Sequence, residues 1–167
     1  ELKPPRTKLA RHGFWLLVPP SILLLAGGML PPWEFDVREY HLQVPKEWYL
    51  EGRIGFVPHN VYGNMPLGAE MHALLAMVAW PAADAWWWGA LVGKTVMASC
   101  AVLTALGLYA AGRRFLSEEA GVVAAVLYLA TPWTAFVSMA GLNDAVVGFY
   151  ALLAVYATLL AGVSARS

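Results

Sequence analysis

Two carboxylates stand out by their surroundings. Asp36 opens the stretch Asp36-Val37-Arg38-Glu39 just after an apolar run, and Asp144 follows Ala140-Gly141-Leu142-Asn143 between two apolar runs. A carboxylate fixed at a membrane boundary, in partly desolvated surroundings, can act as general base on a substrate hydroxyl. The same residues also fit a structural role: a capping box at Asp36, with the carboxylate satisfying free amides at a helix start, and a helix cap at Asp144. At Asp36 the two roles are compatible. Lys94 is a third ionisable group, set inside an otherwise charge-free run from Ala85 to Gly112. An ammonium at mid-helix costs about 2.5 to 3.5 kcal/mol on insertion scales. It either snorkels to the nearer interface or acts as counter-charge to a lipid phosphate. Asp36, Glu39, His41, His59 and His72 are the side chains a divalent metal would draw on, but neither HxxxH nor HExxH spacing occurs. GxxxxGK[ST] and GxGxxG are absent, which argues against a soluble nucleotide site, and GxSxG is absent as well.

The elements that must position these groups follow from composition. Of 167 residues, 59% are hydrophobic and 13% charged, with mean hydropathy +0.56, whereas an ordinary globular chain carries roughly 25% charged residues. A bilayer-embedded protein is the direct inference. Eleven residues of each sign cancel, so no basic field exists to hold nucleic acid. The single cysteine, Cys100, excludes an intrachain disulfide and a cysteine-built zinc site. Crossing roughly 30 Å of hydrocarbon takes about 20 apolar residues. Four stretches suffice, at about 13–33, 86–112, 119–139 and 145–163, with an outer loop at about 31–85. The expected fold is an all-α polytopic membrane helix bundle with four transmembrane helices and two interfacial helices in the first outer loop. Gly13 to Trp33 also suits a cleaved signal peptide, but three further spans favour an uncleaved anchor. The start at Glu1 and the apolar segment before Ala165-Arg166-Ser167 read as a piece of a longer protein.

Orientation turns on Pro66 to Trp80, whose 15 residues reach only about 22 Å as a helix. Placed in the interface, this segment leaves seven of the flanking Lys and Arg on the cytoplasmic side against three outside. Counted as a crossing, it gives four against six, contrary to the preference of basic residues for the cytoplasm. The N-terminus is therefore expected inside and the loop 31–85 on the outer face of the cell inner (plasma) membrane. That loop holds seven of the eleven acidic residues and three of the four histidines. Val37 to Leu50 reads as one amphipathic helix bent at Pro45, since Val37, Tyr40, Val44 and Trp48 recur at helical spacing. Pro66 is expected in the first turn of a second interfacial helix. Trp86-Trp87-Trp88 marks the outer interface, and Gly89 to Gly93 has GxxxG spacing that permits close helix packing.

Taken together the arrangement resembles the N-terminal module of GT-C membrane glycosyltransferases. Within that superfamily it is most similar to the bacterial family 39 type, related to protein O-mannosyltransferases and the aminoarabinose transferase of lipid A. The resemblance is carried by Asp36 with Tyr40-His41, Pro45-Lys46, Gly52-Arg53-Ile54 and Pro58-His59-Asn60. Pro66 with Glu70-Met71, Gly112-Arg113-Arg114, Pro132 and Asp144 complete it. It implies transfer, with inversion, from a polyprenyl-phosphate sugar to a glycan, lipid or protein acceptor on the outer face. It further implies that Asp36 is the catalytic base and Asp144 a second acid lining the same cavity. Substrate contacts would fall to Lys94, near the donor phosphate, and to Glu39, Tyr40, His41, Lys46, His59 and Asn60. Val37 stands where mannosyltransferase relatives carry Glu, which leaves divalent-metal use and acceptor class open. The competing reading is a non-catalytic polytopic subunit whose outer loop binds lipid headgroups or a partner protein. The two differ in one geometric respect: an enzyme must gather Asp36 and Asp144 into one cleft beside the start of the second span.

Overall fold

A computed structural model describes residues 5–164, within which every regular element is helical. Lys3 and Arg166, used in the charge count, and both chain ends lie outside the described residues. Among the described residues three stretches are long and apolar enough to cross a membrane: Lys8–Gly28, Ala85–Phe115 and Asp144–Val163. The chain is thus a polytopic, all-helical integral membrane protein.

The first stretch is two helices, α1 (Lys8–Trp15) and α2 (Val18–Gly28), with the break just ahead of Pro19-Pro20. Proline lacks the N–H that would continue the ladder and crowds the preceding turn. The chain tightens there, with Leu16 and Leu17 donating three residues back to Gly13 and Phe14 at 3.1 Å. The prolines then sit at the start of α2, where no donor is missed.

In the loop, the expected single helix over Val37 to Leu50 is replaced by two elements. A wide π-type turn, Val37–His41, is followed by α3 (Gln43–Glu51). Pro45 does not bend a continuous helix; it is the third residue of α3, where its missing N–H would have had no intrahelical partner. Gly52, at φ 67°, ends α3 in the left-handed conformation that glycine adopts without steric cost. Pro66 is likewise not in a first turn: α4 (Met71–Ala79) starts five residues later. Its nine residues span only about 13 Å.

The hub is α5 (Ala85–Phe115), which touches α2, α4, α6, α7 and α8. Gly89 and Gly93 form the groove that receives α4: a Cβ at either would lie 2.3 Å from the Cα of Met77 or Ala73. The expected continuous span over 119–139 is instead α6 (Glu118–Ala130) and α7 (Pro132–Ala140), bent by 59°. Thr131 precedes Pro132 and takes the extended conformation (ψ 120°) that a following proline imposes. Counted as one crossing, this bent pair is the fourth. Gly141, at φ 93°, closes α7, and α8 (Asp144–Ser164) follows. Buried Val37, Leu42, Ala73, Met77 and Ala90 fasten the π turn to α4 and α5. Val44, Trp48, Val57 and Leu67 form a small core of the loop itself.

Candidate functional site

The π turn presents different residues on its two sides. Leu42 N–H reaches back five residues to Val37 O at 2.9 Å, so the turn is wider than α-helical. Asp36, Tyr40 and His41, spaced by four and five, consequently fall on one side and line one cavity. Arg38, Glu39, Leu42, Gln43 and Lys46 fall on the other and line a second cavity. The start of the turn is capped by Glu34, whose Oε2 accepts the Val37 N–H at 3.0 Å. This corrects the capping-box reading of Asp36. Its side chain caps nothing, and among the described residues it makes no hydrogen bond or ion pair.

The first cavity, about 390 Å³, gathers Asp36, Tyr40 and His41 from the turn, Pro66 from the loop, Trp133 and Phe136 from α7, and Asp144 from the head of α8. Two backbone features bring α7 and α8 to it. The bend at Thr131 tilts α7, and the left-handed Gly141 turns the chain back so that Asp144 starts α8 at the rim. Asp144 does not serve as a cap residue outside the helix; it is the first residue within it, where a negative charge meets the positive end of the helix dipole. Asp36 is half-buried and Asp144 exposed. The cavity opens between the π turn and α7 rather than beside the start of α5, which borders the second cavity.

Glu34 is the third carboxylate on the wall, and no Lys or Arg is among its described lining residues. Burial, and then the charges of Asp36, Glu34 and Glu70, hold the Tyr40 phenol above its ordinary pKa of 10.0. It therefore stays protonated as a donor. Its ring lies against His41 (centroids 4.2 Å) and Tyr62 (5.4 Å). Behind the wall, His41 Nδ1 is in direct contact with Glu70 Oε1, and both side chains are buried. Glu70 Oε2 is buried with no hydrogen-bond partner among the described residues.

The remaining sequence candidates lie elsewhere. Lys94 is fully buried: its ammonium donates to the Leu30 carbonyl at 2.8 Å and stands over the Trp33 ring at 5.1 Å, while its stem packs on Gly141. It ties the segment leading to Asp36 to the turn leading to Asp144, and it does not line the acidic cavity. Glu39 and Lys46 belong to the second cavity. His59 is exposed and pairs with Glu47 at 3.2 Å. Asn60 is buried as a loop brace, donating to Glu39 O at 2.8 Å and accepting from the Tyr62 and Gly63 amides.

Sequence reasoning missed Glu70 as the partner of His41 and Glu34 as the cap. Glu70 did carry a signal, since a carboxylate in the apolar segment Pro66 to Trp80 needs a reason to be there. Nothing local pointed to a partner 29 positions away. Among the described residues no group of three His, Cys, Asp or Glu side chains is arranged to hold a metal ion. No protein-family model, curated protein or solved structure matches the chain.

Proposed function

We propose that this chain is the N-terminal module of an integral membrane glycosyltransferase of the GT-C kind, transferring sugar from a polyprenyl-phosphate donor to an acceptor hydroxyl on the outer face. The observation that carries the reading is the single cavity lined by Asp36 and Asp144, residues 108 positions apart, together with Tyr40 and His41. In this reading the bundle crosses the membrane four times, with α6 and α7 forming one bent crossing. α3 and α4 lie at the outer interface, and the N-terminus is cytoplasmic.

The chemistry needs little from the protein beyond placement and charge. A lipid-linked donor carries its own leaving group. The acceptor oxygen bonds to the anomeric carbon as the carbon–oxygen bond to phosphate breaks, and polyprenyl phosphate departs with the electron pair. The acceptor proton passes to Asp36. A carboxylate without partners among the described residues is free to take it, and a wall whose described lining residues include three carboxylates and no Lys or Arg favours the positive charge that builds on the sugar. Attack opposite the phosphate inverts the anomeric centre.

The test is donor turnover in membranes carrying the complete protein, assayed with a panel of polyprenyl-phosphate hexoses and pentoses. Asp36→Asn is expected to lower turnover by about 10²- to 10⁴-fold, the usual contribution of a general base, with membrane insertion intact. Near-normal turnover by that variant would overturn the assignment.

A further inference from the structure

On the other side of the π turn lies a cavity of about 370 Å³ of opposite character. Arg38, Glu39, Gln43 and Lys46 line it from the turn and α3, and Trp86 and Trp87 from the head of α5. The Lys46 ammonium stands 4.0 Å from the centre of the Trp86 ring. Among the described residues, neither Arg38 nor Lys46 has a carboxylate within ion-pair distance, not even Glu39 between them in sequence. Two cations without an ion-pair partner thus line one concave site, against the single carboxylate of Glu39 among its described lining residues. Its floor is built by tryptophans at the mouth of the longest apolar helix, where aromatic rings settle in the headgroup layer. Phe35, 72% exposed at the cavity edge, presents further apolar surface at the same level.

We propose that this cavity is a headgroup site for an anionic phospholipid, its phosphate held by Arg38 and Lys46 while its acyl chains descend along α5 below the tryptophans. Charge complementarity selects an anion, and the position at a membrane boundary selects a lipid over a dissolved ion. Glu39 sets the selectivity: its charge opposes a bound phosphate and leaves room for one anionic headgroup, not a cluster. The site is separate from the acidic cavity, so binding here does not depend on the catalytic reading.

The experiment is native mass spectrometry of the protein released from zwitterionic detergent, titrated with dioctanoyl phosphatidylglycerol, dioctanoyl phosphatidylcholine or inorganic phosphate. Wild type is expected to retain phosphatidylglycerol in preference to phosphatidylcholine. Arg38→Gln with Lys46→Gln should weaken phosphatidylglycerol binding by about thirtyfold, the combined weight of two basic side chains at a membrane surface. Glu39→Gln should tighten it, a direction that general misfolding cannot produce. Equal retention of the two lipids, an unchanged affinity in the double variant, or no gain in Glu39→Gln would overturn the site. Displacement of phosphatidylglycerol by an equal concentration of inorganic phosphate would overturn the lipid as its occupant.

Discussion

Glu70 holds the Nδ1 of His41 across 29 positions of sequence, and both side chains are withdrawn from solvent. Because Glu70 immediately precedes α4 and His41 ends the π turn, this contact locks the helix seated on α5 to the turn that carries Asp36. Removing one side of a buried hydrogen-bonded pair leaves the other unsatisfied, at a cost of about 1 to 3 kcal/mol. Glu70→Ala is therefore expected to lose about that much in denaturant unfolding in micelles, and Glu70→Gln, which keeps an acceptor for the ring, to lose less. A loss below about 1 kcal/mol in Glu70→Ala, the range of an exposed pair, would show that the pair does not hold the two elements together.

What could be read in advance divides along the range of the interactions. Scarce charge marked the membrane-spanning stretches, because Arg113, Arg114 and Glu118 bracket a helix junction and Asp144 opens a helix. Pro132 announced a disturbance, but the 59° bend depends on how α6 and α7 pack on α5 and is not written locally. The π turn was hidden because Val37, Tyr40, Val44 and Trp48 suit an ordinary helical wheel, and one extra residue in a turn leaves no mark in such a pattern. Lys94 suited either a snorkelling cation or a counter-charge to a lipid phosphate, whereas its acceptor is the main-chain carbonyl of Leu30, 64 positions away. Main-chain acceptors carry no signature in side-chain sequence.

Gly89 and Gly93 have the spacing often associated with dimerising helices, yet both are occupied within the chain by α4. A Cβ at Gly93 would lie 2.3 Å from the Ala73 Cα, and backbone cannot swing aside as a side chain does. Gly93→Val should thus push α4 off α5 and destabilise the protein by about 1 to 3 kcal/mol, the usual cost of overpacking. The unfolding midpoint checks this. A variant with wild-type stability and a changed oligomeric state would instead assign the glycines to contacts between chains.

Tyr40 sets a limit on the alkaline side. Its phenol is held above the ordinary value of 10.0 by burial and by neighbouring carboxylates, so the folded state favours the protonated form more than the unfolded chain does. That preference contributes fully below the ordinary tyrosine pKa and is lost as pH rises through the elevated folded value. Stability of the wild type should accordingly fall above about pH 10, and Tyr40→Phe should remove the Tyr40 share of the fall. Identical alkaline profiles for the two proteins, followed by circular dichroism, would contradict the shift.

The bent pair α6 and α7 decides the parity of the whole chain. If the two helices together form one crossing, position 114 at the end of α5 and position 144 at the start of α8 lie on opposite faces of the membrane. If the pair enters and leaves on the same side, the two positions share a face. Both residues are exposed, and the native Cys100 is buried at 6% exposure, so replacing it with Ala leaves a clean background for labelling. In intact cells, an impermeant maleimide is expected to label Asp144→Cys directly and Arg114→Cys only after permeabilisation. Labelling of both from outside would make the pair a re-entrant hairpin. Labelling of position 114 alone would reverse the orientation and move the acidic cavity to the cytoplasmic face, where an outward-facing transfer reaction could not take place.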